Sequence, residues 1–323
     1  MKKQLIFVAT VLALAACGND ESLNPNDGPV EIRLSSGIEV QETTRAATDI
    51  QESAFDANEL VDVYINEYTQ GQATTIYDSP LTYTTGASNA MNPPTGQQPY
   101  FPTSGNGVTI YGVYPSASET FAEGGYSNGT FTIQKDQSTN NTSNDKNYKL
   151  SDLMYGTANN GAEVPRTNND VVINFSHLLS KVTVNLKAGS GLDDTNLNNA
   201  TVSLLGLQPT IGFTTETGEL GNVSGETTEI TVMNATSTLL SGSAIIVPQS
   251  LAISTPFIKI HLAEGGDLYY NLAKAATFQS GMVYIYDITV NLTGLTVTSN
   301  IEPWDTEGEG GYTGDDDGSA TMR

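Results

Sequence analysis

Pro29-Val-Glu-Ile-Arg-Leu-Ser-Ser-Gly-Ile-Glu-Val40 is the stretch from which the fold is read. Successive side chains of a β-strand point to opposite faces, so Val30, Ile32 and Leu34 share one face, followed by Ile38 and Val40. Glu31 and Arg33 fall on the other. This is the pattern of a strand with one face in a core. Similar runs recur at 60–65, 75–83, 107–114, 129–133, 170–175, 181–186, 200–207, 228–232, 243–247, 256–262, 268–272, 283–292 and 293–301. They are rich in Val, Ile, Thr and Tyr and are bounded by Gly, Asn, Pro and Asp. Helical periodicity is confined to two short candidates, 176–180 and 192–199. Many short strands separated by frequent turns predict an all-β chain built of β-sandwiches.

Between the strands lie two long polar segments. Residues 87–102 hold Pro93, Pro94, Pro99 and Pro102, and 134–148 are a run of Asn, Ser, Thr, Asp and Lys. Both are expected to be surface loops, because their backbone groups need water. A chain of 323 residues is long enough for two cores. The Gly- and Asp-containing segment that begins at Lys187 is a natural junction. Two tandem domains are therefore expected, over 30–187 and 188–304. The tail, 305–323, is rich in Gly and acid, ends in Asp315-Asp-Asp317 and beyond, and is expected to be mobile.

The chain begins Met1-Lys-Lys-Gln4 and is then apolar from Leu5 to Leu14. A membrane-spanning helix needs roughly 20 apolar residues, so this run is too short to span. Residues 1–16 read as a targeting peptide outside the fold. Its end, Leu14-Ala-Ala-Cys-Gly18, resembles a bacterial lipobox, in which the thiol of Cys17 carries diacylglycerol and becomes the new N-terminus. Cys17 is the only cysteine, so the chain has no internal disulfide. Each buried methylene of a lipid contributes roughly 0.8 kcal/mol, so two or three acyl chains anchor stably to an outer membrane. Residues 17–29 are polar and rich in Gly, Pro and Asn, as in a tether. Loss of Lys2 and Lys3 with the signal takes the net charge from −23 to −25. That acidity excludes nucleic acid as a partner, because phosphate contacts need clustered Lys and Arg. It favours solubility outside the cell.

Groups that run catalysis are scarce. His177 and His261 lie far apart, and each is expected to be a packed or hydrogen-bonded structural residue. No nucleophile elbow, zinc-protease helix or phosphate-binding glycine loop is present. No metal site and no cofactor is expected, and Asp315 to Asp317 do not have the spacing of a calcium loop. Catalysis is therefore not expected, although a glycosidase-type hydrolase would need only two carboxylates about 5–10 Å apart in a cleft. The long loops and 15 tyrosines motivate another reading, a surface lipoprotein that binds glycans.

The order of segments carries more information than any single motif. A first strand is followed by Thr43-Thr-Arg-Ala46, Tyr100-Phe-Pro102 and Val108-Thr-Ile-Tyr-Gly-Val-Tyr-Pro115. Then come Asp152-Leu-Met-Tyr-Gly156, Ile173-Asn-Phe-Ser-His-Leu-Leu-Ser-Lys-Val-Thr-Val184, Gly281-Met-Val-Tyr-Ile-Tyr286 and Ile301-Glu-Pro-Trp304. This series, from Cys17 to Trp304, resembles the fimbrillin-like family of fimbrium (pilus) subunits of Gram-negative anaerobes. The resemblance implies two tandem transthyretin-like β-sandwich domains, export as a lipoprotein to the cell surface, and polymerisation with other fimbrial subunits. It implies cleavage by an Arg-specific protease between Arg45 and Ala46, loss of the first strand with Val30, Ile32 and Leu34, and refilling of its groove by a neighbour's strand. In stalk subunits that donor comes from the C-terminal segment. Here the best apolar alternation near that end is Leu295, Val297 and Ile301, and Trp304 breaks its parity. If 295–304 is locked in its own domain, an anchor or accessory position fits better than the middle of a stalk. A host or bacterial surface ligand is implied by an adhesive role.

Overall fold

The computed structural model describes residues 28–38, 54–69, 72–77, 79–138, 142–291, 294–304 and 312–320. In chain order the first strands are β1 Leu34–Ile38, β2 Leu60–Thr69, β3 Gln72–Thr75, β4 Leu81–Thr85, β5 Ala90–Asn92, β6 Val108–Tyr114, β7 Gly125–Ser127 and β8 Thr130–Thr132. Helix α1 Thr142–Ser151 follows, then β9 Met154–Ala158, β10 Val171–His177, β11 Ser180–Ala188, β12 Thr201–Leu207, β13 Thr210–Thr214, β14 Glu219–Ser224 and β15 Thr228–Asn234. The remainder are β16 Ser241–Ile246, β17 Ser250–Leu251, β18 Pro256–Leu262, β19 Gly266–Asn271, β20 Ala276–Thr277, β21 Met282–Asn291, β22 Gly294–Pro303 and β23 Tyr312–Ala320. The chain is all-β, as its alternation predicts.

One sheet has the order β3-β2-β4-β5-β1-β10-β9-β6, and β2 also pairs with β6, so the hydrogen bonding closes on itself. Closure leaves few exposed edges to aggregate. Inside lie Val61, Val63, Ile65, Tyr83, Ile110 and Phe175, all buried. A second core lies against the sheets β16-β11-β21-β22-β23 and β15-β12-β18-β19, and includes Val182, Val184, Leu204, Ile245, Phe257 and Tyr286. The chain crosses from one core to the other at 177–180, yet Phe131 and Ile133 of the first half also pack in the second core. They get there because β8 pairs with β13, Ile211 facing Phe131.

Three segments differ from the sequence reading. Segment 134–148 is not a simple surface loop. Gln137 is fully buried. Its Nε2 donates to the carbonyls of Gln134 and Ile245, both 2.9 Å, and its Oε1 accepts from Ile245 N–H at 2.8 Å. The side-chain amide thus extends the edge of β16 as another strand would, which satisfies its burial cost. The described α-helix, α1, begins in this same segment and buries Tyr148 and Leu150 near its end. Neither predicted helical candidate forms one: 194–197 is a 3-10 turn, and 176–180 is shared between β10 and β11. Third, residues 312–320 of the tail form β23, antiparallel to β22. Backbone pairing to an otherwise open edge needs no apolar pattern, which is why composition did not reveal it.

Candidate functional site: the seam around the first strand

The first strand is inserted, not laid on. β1 runs parallel to β10, from Leu34 opposite Val171 to Ile38 opposite Phe175. On its other side it pairs antiparallel with β5. Before β1 the same seam continues. Ile32 N–H donates to Pro99 O and Phe101 N–H donates to Val30 O, both at 2.9 Å, while Val171 N–H donates to Arg33 O at 2.8 Å. Gln98 Nε2 donates to Ile32 O at 3.1 Å. Leu34 and Ser35 thus have backbone partners on both sides, while 30–32 are held by 99–101 and 36–38 by β10.

The apolar face fills the core beneath. Val30, Ile32, Leu34 and Ile38 are each less than 9% exposed. Full burial of such a side chain is worth about 1.5–3 kcal/mol, so the four contribute roughly 6–12 kcal/mol as an upper estimate. That is comparable to the whole stability of an ordinary domain. Removing the strand would expose the pockets these four side chains fill. Arg33, inside the strand, has its carbonyl engaged and its guanidinium paired with Asp170 at 3.1 Å and with the Asn168 carbonyl. The peptide bond after Arg33 is thus held in the sheet. Cys17, Arg45 and Ala46 lie outside the described residues.

Sequence reasoning missed the partner of this strand. The proline count marked 87–102 as loop, but Pro99 supplies a carbonyl and needs no N–H to do so. Buried Met91 and Phe101 were the available signal.

The residues singled out near the C-terminus lie elsewhere. Leu295 and Val297 are buried in β22, whereas Ile301 is exposed. β22 pairs along its full length with β21, from Met282 opposite Pro303 to Asn291 opposite Gly294. Trp304 closes this strand. Its backbone N–H donates to Gly281 O at 2.7 Å, and its ring stacks on His177 at 4.0 Å and 5°. His177 Nδ1 is hydrogen-bonded to buried Asp152 at 2.8 Å, and Lys181 Nζ stands 5.8 Å from the centroid of the Trp304 ring. His177, at the end of β10, is thereby part of a staple between the first sheet and the last strands. His261, on β18, is hydrogen-bonded to Asp267 at 2.7 Å on the surface. The two histidines occupy different sheets. Among the described residues no group of three or more His, Cys, Asp or Glu is placed to hold a metal ion.

Comparison with known proteins matches this architecture. A protein of Bacteroides uniformis that carries the name fimbrium subunit Fim1C is 28% identical over 97% of this chain and 99% of its own. A solved Bacteroides uniformis structure described as a cell adhesion protein superposes with a TM-score of 0.63 at 24% identity, covering 87% of this chain and all of that one. Another, from Bacteroides ovatus and described in the same way, gives 0.65 at 20% identity, again over 87% of this chain and all of its own. The fimbrillin-like family profile matches residues 44–304, beginning beside Arg45 and ending on Trp304. With that match spanning most of its length, the chain belongs to the fimbrillin-like family.

Proposed function

We propose that this protein is a structural subunit of a cell-surface fimbria, assembled by exchange of its first strand after proteolysis at Arg45. The observation that carries this reading is the place of the first strand. It is built into the sheet on both sides, yet it lies before the segment that matches the family, which starts at Thr44. That position supports reading the strand as an exchangeable part of the fold. The name of the Bacteroides uniformis relative agrees with a fimbrial role.

The physics favours exchange over release. Cutting the Arg45–Ala46 bond removes only the covalent link. The strand keeps its ladder and its four buried side chains, and loses the high effective concentration that the link gave it. An incoming strand that offers the same backbone ladder and alternate apolar side chains can then displace it. Such a contact is head-to-tail, and repetition gives an open filament. The departing segment takes the lipid on Cys17 with it, so uncut molecules stay on the outer membrane and cut ones are free to join a fimbria. We place this chain at a terminal or accessory position. Leu295, Val297 and Trp304 fill the second core, and donating 295–301 would empty it. Tail 305–323 offers Tyr312 and Met322 as its large apolar residues, too few to refill the pockets of Val30, Ile32, Leu34 and Ile38.

An Arg-specific protease acting on the folded chain tests this. N-terminal sequencing should return Ala46 as the first residue, and oligomers should form with subunits that carry a donor strand. An intact Arg45–Ala46 bond with no oligomers would sink the proposal.

A further inference from the structure

A cavity of about 210 Å³ opens between β2, the turn that joins β7 to β8, and β13. No residue of the first strand lines it. Asp62, Tyr64, Tyr126, Asn128, Phe213 and Thr215 line it. These residues come from distant parts of the sequence and from both halves of the chain.

The lining is held rigid before any ligand arrives. Buried Asp62 accepts hydrogen bonds from Thr82 Oγ1 at 2.9 Å, Ser116 Oγ at 2.6 Å and Ala117 N–H at 2.8 Å. A carboxylate has about four acceptor positions, so one remains. Tyr64 is stacked on Tyr111 at 4.6 Å and 7°. Tyr126 donates its hydroxyl to Pro115 O at 2.7 Å, and its ring lies 6.3 Å from Phe213. Asn128, exposed and lining the cavity, sits at φ 47°, a left-handed turn position. Pre-ordering of this kind lowers the entropy cost of binding.

We propose that this cavity binds a single neutral sugar ring. A pyranose has an apolar C–H face and a rim of hydroxyls, each both donor and acceptor. Tyr64, Tyr126 and Phe213 supply surfaces for the face. Asp62 supplies an acceptor, and Asn128 and Thr215 supply groups that donate and accept. The volume lies below the roughly 300–1,000 Å³ of drug-sized sites, which limits the ligand to one ring or the end of a chain. No Lys, Arg or His lines the cavity, so an anionic ligand has no counter-charge. A quaternary ammonium ion would use the rings, but the amide and hydroxyl groups would have no partner.

Saturation-transfer NMR and calorimetry on the folded chain without its signal segment test this. The probes are glucose, galactose, mannose, fucose and N-acetylglucosamine, with tetramethylammonium alongside. At least one sugar should bind with Kd on the order of 1 mM or tighter, and Asn128→Gly, which keeps the left-handed turn, should weaken it at least tenfold. Should Asn128→Gly also lower the melting temperature, the same tenfold loss is read from Thr215→Val. Binding of none of the sugars, binding unchanged in the variant that keeps the wild-type melting temperature, or saturation by tetramethylammonium alone would overturn the proposal. None of these outcomes depends on cleavage at Arg45.

Discussion

Gly112 and Gly156 face each other across β6 and β9, and both make room for Phe175 of β10. A Cβ on Gly112 would stand 2.7 Å from the Phe175 ring. One on Gly156 would stand 2.7 Å from both the ring and the Asn174 carbonyl oxygen. The glycines of Val108–Pro115 and Asp152–Gly156 and the phenylalanine of Ile173–Val184 are therefore one packing unit. Gly156→Ala should destabilise the fold by about 1–3 kcal/mol, because a backbone oxygen cannot step aside as a side chain can. A denaturant midpoint equal to that of the wild type would show that this contact relaxes freely. Tyr64 makes a different prediction. Burial, with the charges of Asp62 and Glu216 behind it, pushes its hydroxyl pKa up to about 12. Tyr111, Tyr83 and Tyr126 are shifted the same way, chiefly by burial. The folded chain thus holds these protons more tightly than the unfolded one, whose tyrosines titrate near pH 10. The Tyr64 contribution is complete below about pH 10 and is lost as pH rises through about 12. Melting temperatures should fall over that interval, and Tyr64→Phe should make the fall shallower. Equal slopes for the two proteins would contradict the assignment.

At the scale of elements, β22 and β23 are neighbours with opposite roles. β22 has strands on both sides and places Leu295 and Val297 in the second core. β23 is an edge strand, paired on one side. A chain ending at Trp304 should therefore keep a cooperative transition but expose β22 as a free edge and self-associate more. One ending at Asn291 should not fold, since it also loses Leu295, Val297 and Trp304. Monodisperse behaviour of the longer truncation in light scattering would count against β23 as edge protection. The strands legible in the sequence were those with period-2 alternation of β-branched residues, such as β2, β11, β18 and β21. β5, β13 and β14 were not, because Gly, Thr and Asn dilute the pattern, even though Met91, Ile211 and Phe213 are buried. Helix α1 was hidden because Thr-Ser-Asn-Asp-Lys-Asn-Tyr-Lys-Leu-Ser has little apolar periodicity. Gln137 was hidden because a side chain that imitates a strand leaves no local trace.

For the whole molecule, order proved more informative than composition. The motifs from Tyr100 to Trp304 are scattered along the chain, yet Phe101 is bonded to the first strand, Gly156 packs on Phe175, and Trp304 stacks on His177. They were readable as a series and became contacts only in three dimensions. The cavity at Asp62 and Asn128 was illegible for the same reason, since its lining comes from three regions far apart in sequence. The first strand was read correctly as a buried alternating segment, but its partners at 99–101 were not. The first strand fills the seam between β10 and 90–101 and buries Val30, Ile32, Leu34 and Ile38 there. The most direct measurement is intact mass spectrometry of the folded chain after Arg-specific cleavage, in the presence of an excess of an isotope-labelled peptide of residues 28–38. The labelled peptide should replace the native segment on the cleaved protein and remain absent from the uncleaved one. Retention of the original segment after cleavage, with no labelled peptide bound, would contradict an exchangeable first strand.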